Sequence, residues 1–198
     1  MAPDPAATTV ASVPERLLDA AVEVAADHGL ARLSVADVAK RAGLSRQTLY
    51  KHFATRDELV AQAVLREAGA MVEAVIAAAE VHEDPIDSLE AAILTSLEVA
   101  RTHPLLDRLL ATEPEALLPL LIDGEGSVLG AIDVIARRML EARMPELSDA
   151  QVRAGADLLS RMLVSYGVRP PATDAATVAR VLSTAVVAGV VAAPADPS

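Results

Sequence analysis

Apolar residues recur along this chain mainly three and four positions apart, the spacing of one face of an amphipathic helix. Ile86, Leu89, Ile93 and Leu97 form a typical stripe of this kind. The stripes are broken by Pro and Gly, and no segment shows a convincing alternation of apolar and polar residues that would indicate a strand. The pattern predicts an all-α fold of about nine helices.

Capping residues place the predicted helix boundaries. Thr55 with Glu58, and Ser148 with Gln151, have the spacing of a capping box. The first helix has Pro14 in its first turn and ends at Gly29. The later helices are predicted from Thr55 to about Glu80, from Pro85 to about Thr102, over Pro104–Ala111, from about Ser127 to Arg143, from Ser148 to a stop at Gly167 and Pro170–Pro171, and from Asp174 to about Ala192. Asp84 and Asp174 are the predicted N-caps of the helices that follow them.

The stretch from Leu33 to Phe53 has the pattern of two short helices joined by a tight turn. Ser34 and Ser45 are candidate N-caps, and Gly43 stands where a left-handed residue would end the first helix. This order predicts a helix-turn-helix unit. Its inward positions are Val35, Val38, Ala39, Ala42, Leu49 and Phe53.

The outward side of the second short helix is polar and basic. Arg and Gln can bond base edges bidentately, whereas Thr, Tyr, Lys and His suit phosphate oxygens. Between Arg32 and Arg56 there are six cations and one anion, a local charge of +5 in a chain whose net charge is −11. Such a basic island is typical of a DNA-binding face, and the alternative is a helical hairpin with a solvated charged surface. The outward residues are Arg46, Gln47, Thr48, Tyr50, Lys51 and His52.

The run GLSRQTLYKHF, Gly43 to Phe53, carries a resemblance to a known family. Together with the flanking features from about Val13 to Leu65, it resembles the DNA-binding domain of TetR-type (tetracycline-repressor-like) transcriptional regulators. The resemblance implies a repressor that binds a pseudo-palindromic operator as a homodimer and is released by a small molecule held between about Glu80 and Arg169. By position in the motif, it assigns base contacts to Arg46 and Gln47. Phosphate contacts and docking fall to Thr48, Tyr50, Lys51 and His52, with Ser34 and Arg56 in support at helix N-termini.

Three segments follow from these patterns. Residues 1–12, rich in Ala, Pro and Thr and without Lys or Arg, are predicted to be a disordered arm. Residues 13–54 are predicted to form the helix-turn-helix domain, and residues 55–198 the ligand-binding and dimerisation domain. The apolar stretch 112–123, broken by two prolines, is expected either to line a cavity or to act as a packed connector.

The last helix is apolar on nearly every side, with Arg180 as its main charge, and it has a strip of small residues: Ala185, Ala188, Gly189 and Ala192. A surface helix would not have this composition. Burial between two protomers is one explanation, and burial inside a monomer is the other. The apolar run 181–194 is too short to span a bilayer, so no membrane association is expected.

Composition narrows the remaining possibilities. Hydrophobic residues make up 53% of the chain but aromatic residues only 2%, so any ligand pocket should be aliphatic and favour an aliphatic effector. Cysteine is absent and no secretory signal is recognisable, which favours the cytoplasm. We find no nucleophile–base pair, no metal-ligand cluster and no phosphate-binding Gly loop, so we expect neither enzyme activity nor a cofactor. The alternative function is a helix-turn-helix protein whose larger domain only dimerises or recruits a protein partner.

Overall fold

The structure is a computed structural model that describes residues 11–115 and 127–194. Within those ranges it contains nine helices and no strand, which confirms the predicted all-α class. The helices are α1 (Val13–His28), α2 (Val35–Arg41), α3 (Arg46–His52), α4 (Arg56–Glu80), α5 (Pro85–Thr102), α6 (Pro104–Thr112), α7 (Val128–Arg143), α8 (Asp149–Val168) and α9 (Ala175–Ala192).

The chain forms two compact units, residues 1–67 and residues 68–198. This division lies later than the predicted boundary after residue 54. Leu59 and Ala63, on the first half of α4, are buried, and this half belongs to the first unit. The helix-turn-helix unit therefore includes a fourth helical segment as well as the three predicted ones.

The first unit has a small, fully buried core. Leu17, Val24, Val38, Leu49 and Phe53 are each at most 2% exposed. They bring together one face from each of α1, α2 and α3, as the sequence pattern predicted.

The N-cap of α1 lies in the segment that was predicted to be a disordered arm. Ser12, which we assigned to the disordered arm, caps the helix: its hydroxyl accepts from the Glu15 amide, and the Glu15 carboxylate accepts from the Ser12 amide. The reciprocal capping box fixes Ser12 in place. Residues 1–10 of the predicted arm lie outside the described residues.

The second unit is built around α5, α7, α8 and α9, whose buried side chains form one continuous cluster. Gly155 on α8 permits a close approach to α9, since a Cβ there would lie 2.7 Å from Cγ1 of Val190. Gln151 on α8 reinforces this contact by donating to the carbonyls of Val190 and Ala193, at 2.9 and 2.8 Å. The two helices are therefore joined by both packing and hydrogen bonds.

The C-terminal end of α8 and the 112–123 stretch can each be compared with the sequence prediction. Gly167 and the two prolines Pro170 and Pro171 were expected to stop α8, and of these Gly167 lies inside the helix without a positive φ. The helix ends one residue later, before Pro170 and Pro171, because proline cannot supply the backbone N–H that a continuing helix needs. Most of the 112–123 stretch lies outside the described residues.

Helix α9 has two different faces. Ala179, Ser183, Val186 and Val190 are buried, whereas the predicted small-residue strip is exposed on this chain. The helix has 18 residues and a mean hydropathy of 1.8, which by length and composition is enough to cross a membrane. The prediction that the apolar run 181–194 is too short to span a bilayer therefore does not apply to the whole helix. Its contacts are nevertheless those of a helix packed on protein, because Arg180 pairs with Asp87 and Glu90 of α5.

Candidate nucleic-acid interface and internal cavity

The turn between α2 and α3 is closed by glycine. Gly43 has φ +66°, its amide donates to the Lys40 carbonyl, and the Leu44 amide donates to the Ala39 carbonyl. This pair of bonds is a Schellman ending, which needs the left-handed residue that glycine supplies without strain. Ser45 then caps α3 by accepting from the Thr48 amide at 3.0 Å. The glycine turn and the Ser45 cap are those that the sequence predicted.

The outward residues of α3 form one exposed surface. Leu49 and Phe53 are buried beneath it, Thr48 is half-buried, and Tyr50 is 55% exposed. Among the described residues, neither Arg46 nor Lys51 forms an ion pair within the chain. The exposed members of this surface are Arg46, Gln47, Tyr50, Lys51 and His52.

Arg41 does not contribute to the basic surface, although it is one of the six cations counted in the sequence. Its guanidinium pairs with Glu23 and Asp27 of α1, at 3.0 and 2.7 Å. The hydrogen bond from Arg41 holds the pKa of the Asp27 carboxyl below its ordinary value. These ion pairs hold α2 on α1, and they leave fewer cations facing outward than the sequence count suggested.

Arg56 and Ser34, both assigned to DNA contact by the motif, are engaged inside the unit. The Arg56 guanidinium donates to the Leu33 carbonyl at 2.9 Å and to the Leu30 carbonyl, so it holds the segment that precedes α2. The Ser34 hydroxyl accepts from the Asp37 amide and caps α2. Their roles at DNA stay predictions, and the contacts show that each also has a structural role.

One positioning residue was missed in the sequence. Arg16 on α1 donates from its guanidinium to the carbonyl of Ala42 at 2.6 Å, next to the turn glycine. The two residues are 26 positions apart, so no local pattern in the sequence connects them. Arg16 thereby ties α1 to the turn on which the direction of α3 depends.

The second unit contains a cavity of about 210 Å³. Its wall combines one face of the second half of α4 with faces of α5, α7 and α8 and with Leu106 of α6. One apolar stripe of α7 lines this cavity. The stripe consists of Val128, Ile132, Ile135 and Met139, and the α4 contribution is Ala68, Met71, Val72 and Val75.

The chemistry of the cavity wall is almost uniform. Among the described residues that line it, Ser96 has the only polar side chain, and none is charged or aromatic. The Ser96 hydroxyl donates to the Ala92 carbonyl at 2.8 Å on its own helix. Such a surface attracts a ligand through burial of apolar area, with little directional bonding.

Val128 and Val168 both line the cavity and are 38% and 41% exposed, so the wall extends to solvent on that side. No group of His, Cys, Asp or Glu residues with the arrangement of a metal site occurs in the described part of the chain.

Comparisons with known proteins agree with this arrangement of units. The family described as "Bacterial regulatory proteins, tetR family" matches residues 17–63, and the family described as "Bacterial Tetracyclin repressor, C-terminal domain" matches residues 84–187. The matches fall on the two units that carry the exposed α3 and the cavity.

Relatives found by sequence are regulators too. An uncharacterised HTH-type transcriptional regulator of Mycobacterium tuberculosis is 36% identical over 93 residues, 46% of each chain, and one of Bacillus subtilis is 37% identical over 46 residues, 23% of this chain and 24% of the relative. The aligned region therefore spans less than half the length of these relatives.

Solved structures share the fold at low identity. The TetR family repressor AlkX of Dietzia sp., implicated in biodegradation of n-alkanes, has a TM-score of 0.67 and 23% identity over 88% of this chain and 96% of its own. FadR of Bacillus subtilis, in complex with stearoyl-CoA, has a TM-score of 0.58 and 18% identity over 88% and 97%. With family matches over both of its units, this chain belongs to the TetR family of helix-turn-helix transcriptional regulators.

Proposed function

We propose that this regulator is a repressor that binds a pseudo-palindromic operator as a homodimer and leaves it when a small apolar effector fills the cavity. The observation that carries the proposal is the aliphatic cavity of about 210 Å³ in the unit that follows the helix-turn-helix. A domain that only dimerised would not need such a cavity, since packed interiors rarely leave voids of this size.

On the DNA side, α3 is the recognition helix. Arg46 and Gln47, exposed in its first turn, are assigned to base edges in the major groove. Thr48, Tyr50, Lys51 and His52 are assigned to phosphates and docking, with Ser34 beside them at the N-terminus of α2. Arg56 is assigned a supporting contact at the N-terminus of α4, in addition to its bonds to the carbonyls before α2.

The dimer is assigned to the exposed face of α9 and the neighbouring face of α8. Val181 and Val191 on α9 are 63% and 59% exposed, and Leu158 on α8 is 46% exposed. The exposed residues of α9 between Val181 and Val191 are small. Burial of these side chains against a second copy would remove apolar surface from water. A two-fold dimer also suits operator half-sites about 34–36 Å apart.

Helix α4 is suited to transmit effector binding. Its first half contributes Leu59 and Ala63 to the buried residues of the helix-turn-helix unit, and its second half lines the cavity. An effector that binds better to a conformation in which α4 is displaced would reduce operator affinity, because the two recognition helices would no longer match the half-site spacing. The protein acts by binding and not by catalysis, and we place it in the cytoplasm with the DNA.

The test is binding of the purified protein to its own upstream intergenic DNA, followed by fluorescence anisotropy at two salt concentrations with nonspecific competitor. We expect specific, salt-sensitive binding of one dimer per site, and its loss on addition of an apolar compound that fills the cavity. Specific binding that no apolar compound affects would instead support the alternative function, in which the second unit only dimerises or recruits a partner.

A further inference from the structure

The cavity wall offers nothing that would bind an ionised head group. Apart from Ser96, every described residue that lines it is aliphatic, Met or Gly, and the Ser96 proton is already donated to Ala92. A carboxylate or phosphate inside this wall would lose its hydration without gaining a charged partner. Burial of an unpaired charge is strongly unfavourable.

Three arginines of the second unit have partners away from the cavity. Arg137 on α7 pairs with Asp133 at 2.7 Å, and Arg180 on α9 pairs with Asp87 and Glu90. Arg143 donates to the Ser88 hydroxyl and to the Ala79 carbonyl, at 3.4 Å each. None of these three side chains is part of the wall.

The net charge of the second unit also disfavours the binding of an anion. Residues 68–198 contain nine Arg and no Lys against nineteen Asp and Glu, a net charge of −10. The sequence of residues 116–126 contains no Lys, Arg or His and adds two of these acids, Asp123 and Glu125. An anion that approaches the unit therefore meets net repulsion.

We infer that the effector is an uncharged aliphatic compound, and that fatty-acid anions and acyl-coenzyme A thioesters of the same chain length bind much more weakly. The inference rests on the proposed function, because it assumes that the cavity is the effector site. The cavity somewhat exceeds the roughly 150 Å³ apolar cavity that accepts benzene, which suits a chain of medium length.

A matched set of eight-carbon probes tests this inference on the full chain. Methyl octanoate, octanoate and octanoyl-coenzyme A share one chain and differ in charge and head group. At pH 7.5, calorimetry should show the ester bound at least tenfold more tightly than either anionic probe. From pH 7.5 to 6.0 the uncharged fraction of octanoate rises about 30-fold, so its apparent affinity should rise while that of the ester stays constant.

Variants on one helix locate the binding. Ala131 lines the cavity on α7, and Ala142 lies exposed on the same helix outside the wall. Ala131→Leu should reduce ester affinity by filling the cavity, whereas Ala142→Leu should not. Circular dichroism and melting temperature confirm that each variant is folded.

The outcomes separate this inference from the proposed function. If octanoate or octanoyl-coenzyme A binds at pH 7.5 as tightly as the ester, and Ala131→Leu weakens that binding, the inference is wrong while the effector site stands. If Ala131→Leu affects none of the probes, or no probe binds, the cavity is not the effector site and both proposals fail.

Discussion

Two exposed cations on α3, Arg46 and Lys51, differ in their expected contributions to DNA binding. Arg46 lies in the first turn, where a guanidinium can bond two atoms of a guanine edge, whereas Lys51 lies near the C-terminus of the helix and suits a phosphate. A base contact carries sequence information, and a phosphate contact carries charge alone. The two substitutions should therefore have different signatures.

Arg46→Ala should cost about 1–3 kcal/mol of operator binding and relax specificity at one base position. Lys51→Ala should weaken binding to all sequences similarly and reduce the salt slope by about 1. Anisotropy with the operator and single-base variants, at several salt concentrations, measures both effects. Arg153→Ala, an exposed arginine of the second unit, is the control. Unchanged operator affinity in Arg46→Ala would make the base-contact assignment wrong.

Two glycines test whether the turn geometry is required. Gly43 has φ +66°, so Gly43→Ala places a side chain in the left-handed region at a cost of about 1–2 kcal/mol. Gly69 lies within α4, and a Cβ there would meet nothing within 4 Å. Gly69→Ala should therefore stabilise the chain by about 0.5–1 kcal/mol. Urea denaturation of both variants should show opposite shifts, and shifts of the same sign would contradict this account of the turn.

At the scale of the helices, local chemistry predicted nearly all boundaries. Ser34, Ser45, Asp84, Ser148 and Asp174 each cap the helix that the sequence assigned to them. A cap is a contact between residues two or three positions apart, so the sequence contains all of the information. The helix-turn-helix was predictable for the same reason.

Features that depend on distant parts of the chain were not predictable. The α7 stripe has the same pattern whether it packs tightly or lines a cavity, and the difference depends on how α4, α5 and α8 are placed around it. The contact of Arg16 with the turn and the inclusion of the first half of α4 in the first unit also depend on tertiary packing. The end of α8 was predictable from Pro170 and Pro171, although Gly167, predicted as part of the same stop, lies inside the helix.

The closest approach of α8 to α9 gives a prediction about a pair of helices. In Gly155→Ala, the new Cβ would lie 2.7 Å from Val190 Cγ1 and 3.0 Å from Leu140 Cδ1, so one of these side chains must move. Overpacking of this kind typically costs about 1–3 kcal/mol. Val190→Ala in the same chain should recover part of the loss, and a double-mutant cycle by urea denaturation measures the coupling. Additive effects would show that this contact does not limit the helix approach.

At the scale of the whole molecule, charge is divided between the two units. The first unit contains eight cations and nine acids and is nearly neutral, with several acids on α1 paired to arginines, while the second unit has a net charge of −10. The second unit therefore repels DNA phosphates, and we expect specific binding to come from α3. A single helix-turn-helix unit of this kind contacts few phosphates. In the proposed dimer, the affinity for the operator therefore depends on two such units binding together.

The exposed face of α9 makes that dependence testable. Ala188 lies on this face among small residues, so Ala188→Arg would place a long charged side chain where the proposed dimer buries an alanine. Sedimentation velocity should show a monomer at concentrations at which the parent chain is a dimer. Operator affinity should fall sharply, while α3 and the cavity stay intact.

Ala142→Arg adds the same charge at an exposed position of α7 and should leave both the dimer and the operator affinity unchanged. A dimeric Ala188→Arg chain with normal operator affinity would place the interface elsewhere, and the exposed apolar face of α9 would then need another partner.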